Sequence, residues 1–257
     1  MVDIHSHILY GVDDGAKDLY ESLELLKQAK SVGFTDIVCS SHYYIGRYEN
    51  NNYDINFEIL QNKIEEYGIG VNIYKGNEFS LDINYLSHKN KIYRINNGRY
   101  LLIELTSQVI YPICKSFFES LLKEGVIPVF AHVERYPHLK IDELIELAKL
   151  GVILQMNLRM AANPIPRIEP LLNKRYIGVV ATDSHSYGKR DYDVSRNLEL
   201  LKKKVGNEYF EFLTEIIPRK IINNEDIEVL RGERDEFKKD NGIRSFFSSL
   251  WSKLCRR

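Results

Sequence analysis

Lys123-Glu-Gly125-Val126-Ile-Pro-Val-Phe-Ala131-His132-Val-Glu134-Arg135 holds one unit of the fold and one corner of its chemistry. The glycine suits the left-handed residue that ends a helix, because it has no Cβ to clash. The apolar run Val126–Ala131 suits a strand buried on both faces, as in a parallel sheet. A histidine, a carboxylate and an arginine follow the strand at once.

The same grammar recurs along the chain without repeating its sequence. Lys30-Ser-Val-Gly33 precedes Asp36-Ile-Val-Cys-Ser40, Leu147-Ala-Lys-Leu-Gly151 leads into Val152-Ile-Leu-Gln-Met156, and Arg175-Tyr-Ile-Gly178 leads into Val179-Val-Ala-Thr182. Asp18 with Glu21 reads as a helix N-terminal cap, followed by an apolar face at Leu19, Leu23, Leu26 and the stem of Lys30. Ile141, Leu144, Ile145 and Ala148 form a second such face. With Val2–His5, Val71–Lys75 and Tyr100–Leu105 added, about seven strands alternate with helices. This predicts an α/β fold, a distorted (β/α)7 TIM-like barrel one unit short of the eight-fold kind.

The chain has 257 residues, 44% of them hydrophobic and 28% charged, which suffices for one sizeable core. No linker interrupts it before about residue 235, so residues 1–234 are expected to form the barrel and 235–257 a basic amphipathic C-terminal tail. The formal charge of −1 divides into −5 for residues 1–243 and +4 for the rest, and an acidic body argues against a nucleic-acid partner. Three scattered cysteines (Cys39, Cys114, Cys255) form no disulfide framework and fit a reducing cytoplasm. The N-terminus lacks the basic and apolar regions of a signal peptide, and no apolar run reaches the ~18 residues of a membrane span.

The strand ends carry the chemistry. They read Asp3-Ile-His5-Ser-His7, Ser40-Ser-His42, Gly76-Asn-Glu78, Ile103-Glu104, Ala131-His132 and Thr182-Asp183-Ser-His185; only the sixth strand ends neutrally, near Asn157. In a parallel barrel these ends meet at one mouth, where such folds place their active sites. Residues two apart on a strand point the same way, so His5 with His7, and Asp183 with His185, can each chelate one ion. Asp14 in the Gly11-Val-Asp-Asp-Gly15 turn completes five histidines and four carboxylates, more than one divalent ion needs. Asp13 beside it reads as turn chemistry. A donor set without cysteine favours an N/O site for Mn, Fe or Zn. Other phosphate chemistries lack their residues: no Cys-x5-Arg, Gly-x4-Gly-Lys-Ser/Thr or Gly-x-Ser-x-Gly occurs.

Asp3-x-His5-x-His7, Gly11-x-Asp-Asp14-Gly, Ser41-His42, Gly76-Asn-Glu78, Glu104, His132-x-Glu-Arg-Tyr136 and Asp183-x-His185, in that order, resemble the PHP (polymerase and histidinol phosphatase) superfamily. Within it they resemble the bacterial metal-dependent protein-tyrosine phosphatases of capsule and exopolysaccharide operons, the CpsB type. The resemblance runs from Met1 to about Val229 and departs from the usual His-Pro-Glu-Arg-Tyr at Val133. It implies three divalent ions, Mn first, with Fe, Zn or Mg as alternatives. One would be held by His5, His7, Glu78 and Asp183; a second by Glu78, Glu104 and His132; a third by Asp14, His42 and His185. Arg135 and Arg190 would bind phosphate as catalytic arginines, and guanidinium geometry suits that role. Asp3 and Glu134 read as supports for the histidines.

The implied reaction is hydrolysis of protein phosphotyrosine by a metal-bound hydroxide. The implied partner is a membrane-associated bacterial tyrosine kinase of capsule or exopolysaccharide synthesis. A small-molecule phosphatase of the histidinol-phosphate type, a nuclease-like member of the superfamily and a non-catalytic metal-stabilised binding module remain alternatives. In the tail, Phe246, Leu250 and Leu254 recur every four residues beside Phe247 and Trp251, with basic residues at both ends. This pattern fits a peripheral helix at the inner membrane face or one docked on protein.

Overall fold

The computed structural model describes residues 1–106 and 109–227. Its strands are β1 (Val2–Ser6), β2 (Asp36–Cys39), β3 (His42–Tyr43), β4 (Asn72–Lys75), β5 (Glu78–Ser80), β6 (Tyr100–Glu104), β7 (Ile127–Phe130), β8 (Ile153–Asn157) and β9 (Ile177–Ala181). They form two parallel sheets, ordered β1-β2-β4 and β3-β5-β6-β7-β8-β9. Seven strand positions were expected, and the nine described strands fill seven. The second and third are each broken in two, at Ser40–Ser41 and at Gly76–Asn77. The first and last positions meet where the His7 N–H donates to Ser184 O (2.7 Å) and the Asp183 N–H to His5 O (2.8 Å).

The breaks are built into the core. A Cβ on Gly76 would lie 2.6 Å from Val38 Cγ1, so the backbone approaches β2 as only glycine permits. Breaking a buried strand leaves backbone groups to satisfy. The buried Tyr53 hydroxyl does part of this, donating to Cys39 O (2.6 Å) and accepting from the Gly76 N–H (3.1 Å). The Asn77 side chain does a further part, donating to Ser41 O (3.0 Å) and accepting from the Tyr93 N–H (2.7 Å).

The helices are α1 (Leu19–Ser31), α2 (Tyr53–Glu66), α3 (Tyr85–His88), α4 (Tyr111–Lys123), α5 (Ile141–Leu150), α6 (Leu158–Ala162), α7 (Glu169–Asn173), α8 (Ser195–Glu211, kinked at Gly206) and α9 (Ile217–Ile222). Asp18 caps α1 as expected, accepting from the Glu21 N–H at 2.9 Å, and Leu23 and Leu26 are buried. Gly33, Gly125 and Gly151 adopt the expected left-handed backbone, at φ +98°, +75° and +106°. Gly178 does not, because it lies inside β9. Helix α7 stops earlier, and the left-handed residue there is Arg175 (φ +59°).

Alternate strand residues divide the apolar core. Val2, Ile4, Val38, Leu102, Val129 and Val179 form an inner cluster that receives Ile217 and Ile221 of α9, while the helices cover an outer cluster. Among the described residues no helix is long and apolar enough to cross a membrane. The expected tail, 235–257, and its boundary lie outside the described residues.

Asp36, at the start of β2, ties the sheet to α9. It accepts from Thr35 Oγ1 (2.8 Å), Asn72 Nδ2 (3.1 Å) and the Tyr74 hydroxyl (2.8 Å), and pairs with Arg219 (2.8 Å). Burial pushes its pKa up, but these donors outweigh burial and bring it to about 2. Replacing Asp36 with Asn is therefore expected to cost about 1.5–3 kcal/mol at neutral pH, the range for hydrogen bonds to charged groups. The folded pKa lies below the unfolded value of about 3.9, so the wild type's advantage is complete above that value and fades as pH falls through about 2. Urea denaturation of both proteins across that range checks it; a gap that stays constant with pH contradicts the assignment.

Candidate metal centre

The strand ends converge as the alternation requires, with one local adjustment. The pairing of β1 with β2 shifts register between Asp3 and Ser6. His5 and His7 are both fully buried, and their Nε2 atoms stand 3.3 Å apart. Between them lies Glu78, at the first position of β5, its backbone N–H shared between Ser40 O and Ser41 O. Glu78 Oε2 is 3.1 Å from both His5 and His7 and 3.2 Å from His42 Nδ1, and Oε1 is 2.7 Å from His132 Nε2. One buried carboxylate thus touches four imidazoles.

The other members surround this hub. Asp183 Oδ1 lies 3.4 Å from His5, 3.7 Å from His7 and 3.5 Å from His185. Glu104, from the end of β6, lies 3.5 Å from His42 and 3.8 Å from His132. Asp14 Oδ1 lies 3.5 Å from His42 and 3.7 Å from His185, on the most open side. Every one of the nine expected ligands is therefore in this cluster. Four groupings hold their donor atoms within 4.8 Å: His7, Asp14, His42 and His185; His5, Glu78 and His132; His5, His7 and Asp183; His42, Glu78 and Glu104. His132 and Asp183 reach it with left-handed backbones, φ +29° and +54°. Such conformations are uncommon outside glycine and concentrate at functional sites.

Burial and neighbouring charge pull the donors in opposite directions. Burial, with Glu78 alongside, pushes Glu104 up to about 8. Burial and the charge of His7 bring His185 down to about 2. Asp183 is brought to about 2, burial being outweighed by His5, His7 and Arg135. His42 Nδ1 is buried without a hydrogen bond although two carboxylates lie within 3.5 Å. Facing imidazole nitrogens, a bridging carboxylate and a buried nitrogen without a proton partner are the donor set of hard or borderline divalent cations. The residues fit a metal centre.

Supporting contacts differ from those expected. Asp3 accepts only from the His5 backbone N–H, from Thr182 and from Tyr192, and touches no imidazole. Glu134 accepts from the Asn157 N–H and is pushed up to about 7 by burial; it too leaves the histidines alone. The residues that orient imidazoles are Asp13 and Gln155. Asp13 Oδ2 holds His7 Nδ1 (2.7 Å) and the His42 N–H (2.8 Å), while Oδ1 accepts from the Gly15 N–H (2.9 Å). The turn reading of Asp13 describes one oxygen and misses the other. Gly15 allows that turn to close, since a Cβ there would stand 2.1 Å from His7 O. Gln155 Oε1 holds His5 Nδ1 (3.0 Å) and the His132 N–H (2.8 Å) from β8, the position read as chemically neutral.

Arg135 and Arg190 both pair with Asp183 Oδ2, which also accepts from Asn157 Nδ2 at 3.2 Å. Both side chains are about two-fifths exposed, at 44% and 42%. Asp183 joins them to the cluster, and their partial exposure leaves guanidinium donors accessible to an anion.

The family model described as "Capsular polysaccharide synthesis, CpsB/CapC" matches residues 1–223. The chain is 36% identical over 203 residues to the CapC protein of Staphylococcus aureus, covering 75% of this chain and 80% of that one. It is 32% identical over 238 residues to the tyrosine-protein phosphatase CpsB of Streptococcus pneumoniae, covering 86% and 98%. Its fold matches a chain from the crystal structures of YwqE from Bacillus subtilis and CpsB from Streptococcus pneumoniae, described as unique metal-dependent tyrosine phosphatases. That match has a TM-score of 0.79 and 27% identity, over 88% of this chain and 96% of that one.

Since Asp13 fixes His7 through its Nδ1, Asp13→Ala is expected to weaken metal binding about 10–100-fold, the usual cost of losing a carboxylate that orients a metal-binding histidine. Equilibrium dialysis against buffered Mn²⁺ measures this directly. Asp3→Asn, by contrast, is expected to leave metal affinity unchanged, because Asp3 contacts no imidazole.

Proposed function

The chain belongs to the CpsB/CapC family of capsular polysaccharide synthesis, and we propose that it is a metal-dependent protein-tyrosine phosphatase. Its substrate would be phosphotyrosine on a protein, specifically a membrane-associated tyrosine kinase of capsule or exopolysaccharide assembly. The observation that carries the reading is the pairing of two half-exposed arginines with the inner cluster through one carboxylate, Asp183. Anion-binding cations joined to a cation-binding cluster through a shared carboxylate suit a phosphate ester better than any neutral substrate.

We assign His5, His7, Glu78 and Asp183 to one ion, Glu78, Glu104 and His132 to a second, and Asp14, His42 and His185 to a third, with Mn²⁺ first among the candidates. Divalent ions bound there supply Lewis acidity and lower the pKa of water toward about 7. The remaining work falls to the chain. Arg135 and Arg190 bind and orient the phosphoryl oxygens and neutralise charge that grows on them during displacement. Asp183 pairs with both guanidiniums and fixes them beside the cluster, and Asp13 and Gln155 hold His7 and His5 in the ring orientation the centre requires. Phenolate is a better leaving group than an alkoxide, so a tyrosyl ester makes the smaller demand for an acid.

The location we propose is the cytoplasm, at the inner membrane face, which the scattered cysteines and the basic, aromatic 243–257 segment support. A histidinol-phosphate-like substrate would use the same cluster, and kinetics separate the two. Wild-type protein with Mn²⁺ is expected to hydrolyse phosphotyrosyl peptide, and to do so faster than histidinol phosphate; the reverse preference selects the small-molecule reading. Arg135→Ala should reduce kcat/KM by about 10²–10³-fold, the loss typical of a group that stabilises transition-state charge. His5→Ala should abolish turnover, and equal rates for wild type and His5→Ala would exclude a catalytic metal centre. For the membrane proposal, sedimentation with anionic liposomes should be lost on deletion of residues 243–257, and unchanged sedimentation refutes it.

A further inference from the structure

The segment after His42 forms a closed hairpin at the mouth. The Tyr44 N–H donates to Tyr48 O and the Tyr48 N–H to Tyr44 O, both at 2.8 Å, around the tip Ile45-Gly46-Arg47. Gly46 takes φ +79° at the tip, and its N–H donates to Glu49 Oε1 at 2.7 Å. The exit is anchored as well. Asn50 Nδ2 donates to Asn77 Oδ1 (2.9 Å), and Asn77 immediately precedes the hub Glu78. A strand residue of the cluster thus fixes one end of the hairpin, and a neighbour of the hub fixes the other.

This rigid hairpin presents an aromatic ring beside the ligands. Tyr48 stacks on His42, with ring centroids 6.0 Å apart and planes 14° from parallel. Its ring also carries the Arg47 guanidinium, 4.9 Å from the centroid. Tyr48 is half-buried and Arg47 exposed. Tyr48 thus contacts both His42, a proposed ligand, and the exposed Arg47. The metal centre itself requires neither Tyr48 nor Arg47, since His42 is already placed by β3 and by its N–H bond to Asp13.

We propose that Tyr48, with Arg47, forms the leaving-group wall of the site and selects aryl over alkyl phosphate esters. The inference rests on the phosphatase reading. In a phosphotyrosyl ester bound at the cluster the phenyl ring would stand one ester oxygen from the phosphorus, and Tyr48 stacks on His42, one of the proposed ligands. Tyr48 offers that ring an aromatic partner, and an exposed guanidinium, held by the Tyr48 ring, can shift to stack on the newcomer. An alkyl ester presents no π-face and gains neither contact.

Non-hydrolysable analogues separate ring recognition from phosphate recognition. Calorimetry on the full-length, Mn²⁺-loaded protein compares phenylphosphonate with methylphosphonate. The wild type should bind the phenyl compound more tightly. Tyr48→Leu should cut that preference by between about twofold and tenfold, the range for one aromatic pair, while methylphosphonate affinity and Mn²⁺ content stay at wild-type values. Tyr48→Phe should retain the preference, because the ring and not the hydroxyl makes the contact. An undiminished phenyl preference in Tyr48→Leu overturns the proposal. So does a parallel loss for both phosphonates, which would mean that Tyr48 acts only by supporting His42. If the wild type binds neither phosphonate and leaves phosphotyrosyl peptide intact, the phosphatase reading itself falls.

Discussion

Glu78 is the constraint around which the structure is organised. Its carboxylate is buried and lies within 3.2 Å of nitrogens from four histidines. Burial alone would raise its pKa, but His5 and His132 more than compensate, holding it well below the ordinary carboxylate range. A buried carboxylate is tolerated only with partners of opposite charge or strong donors. The imidazoles serve as such partners only when they carry protons or share a cation with it. Protonating every ring would place like charges against one another, with His5 and His7 Nε2 just 3.3 Å apart. Divalent ions bound among these groups would remove both problems together, which would tie the centre to the stability of the strands that form it.

The two strand breaks follow from that demand. An uninterrupted second strand would alternate side chains strictly through Ser41 and His42, and an uninterrupted third would do so through Asn77 and Glu78. Breaking both at the same level lets His42 pair in register with Glu78 in the upper sheet, while Asp36–Cys39 pairs with Asn72–Lys75 in the lower one. The cost falls on buried backbone groups, and Tyr53 and Asn77 absorb it with their side chains. Neither side chain hydrogen-bonds to a proposed ligand, yet both hold the strand ends that carry them.

What could be read in advance divides along the same line. Helix–glycine–strand units and the ligands at strand ends follow from local chemistry: a left-handed stop, an apolar run, a polar residue at the mouth. Those features recur at Gly33, Gly125 and Gly151 and predict the architecture. The strand breaks left no comparable mark, because Ser40–Ser41 and Gly76–Asn77 look like ordinary strand ends. Asp13 and Gln155 escaped for a related reason. Each has an innocent local role, one in a turn and one in a strand, and its second oxygen acts on a residue brought close by folding. Asp3 and Glu134 misled in the opposite direction: adjacency in sequence to His5 and Arg135 is not adjacency of side chains. The glycine rule failed at Gly178 because the preceding helix is one short turn, finished by Arg175.

Asp183 joins the two halves of the site and explains why the arginines belong to it. One of its oxygens faces three imidazoles, and the other accepts from both guanidiniums and from Asn157. A guanidinium fixed only by surface contacts would lose rotamer freedom on meeting phosphate, and that loss would weaken binding. Here both are already directed by a carboxylate whose own position is set by the centre. One residue thus ties the orientation of the two guanidiniums to the geometry of the histidine cluster.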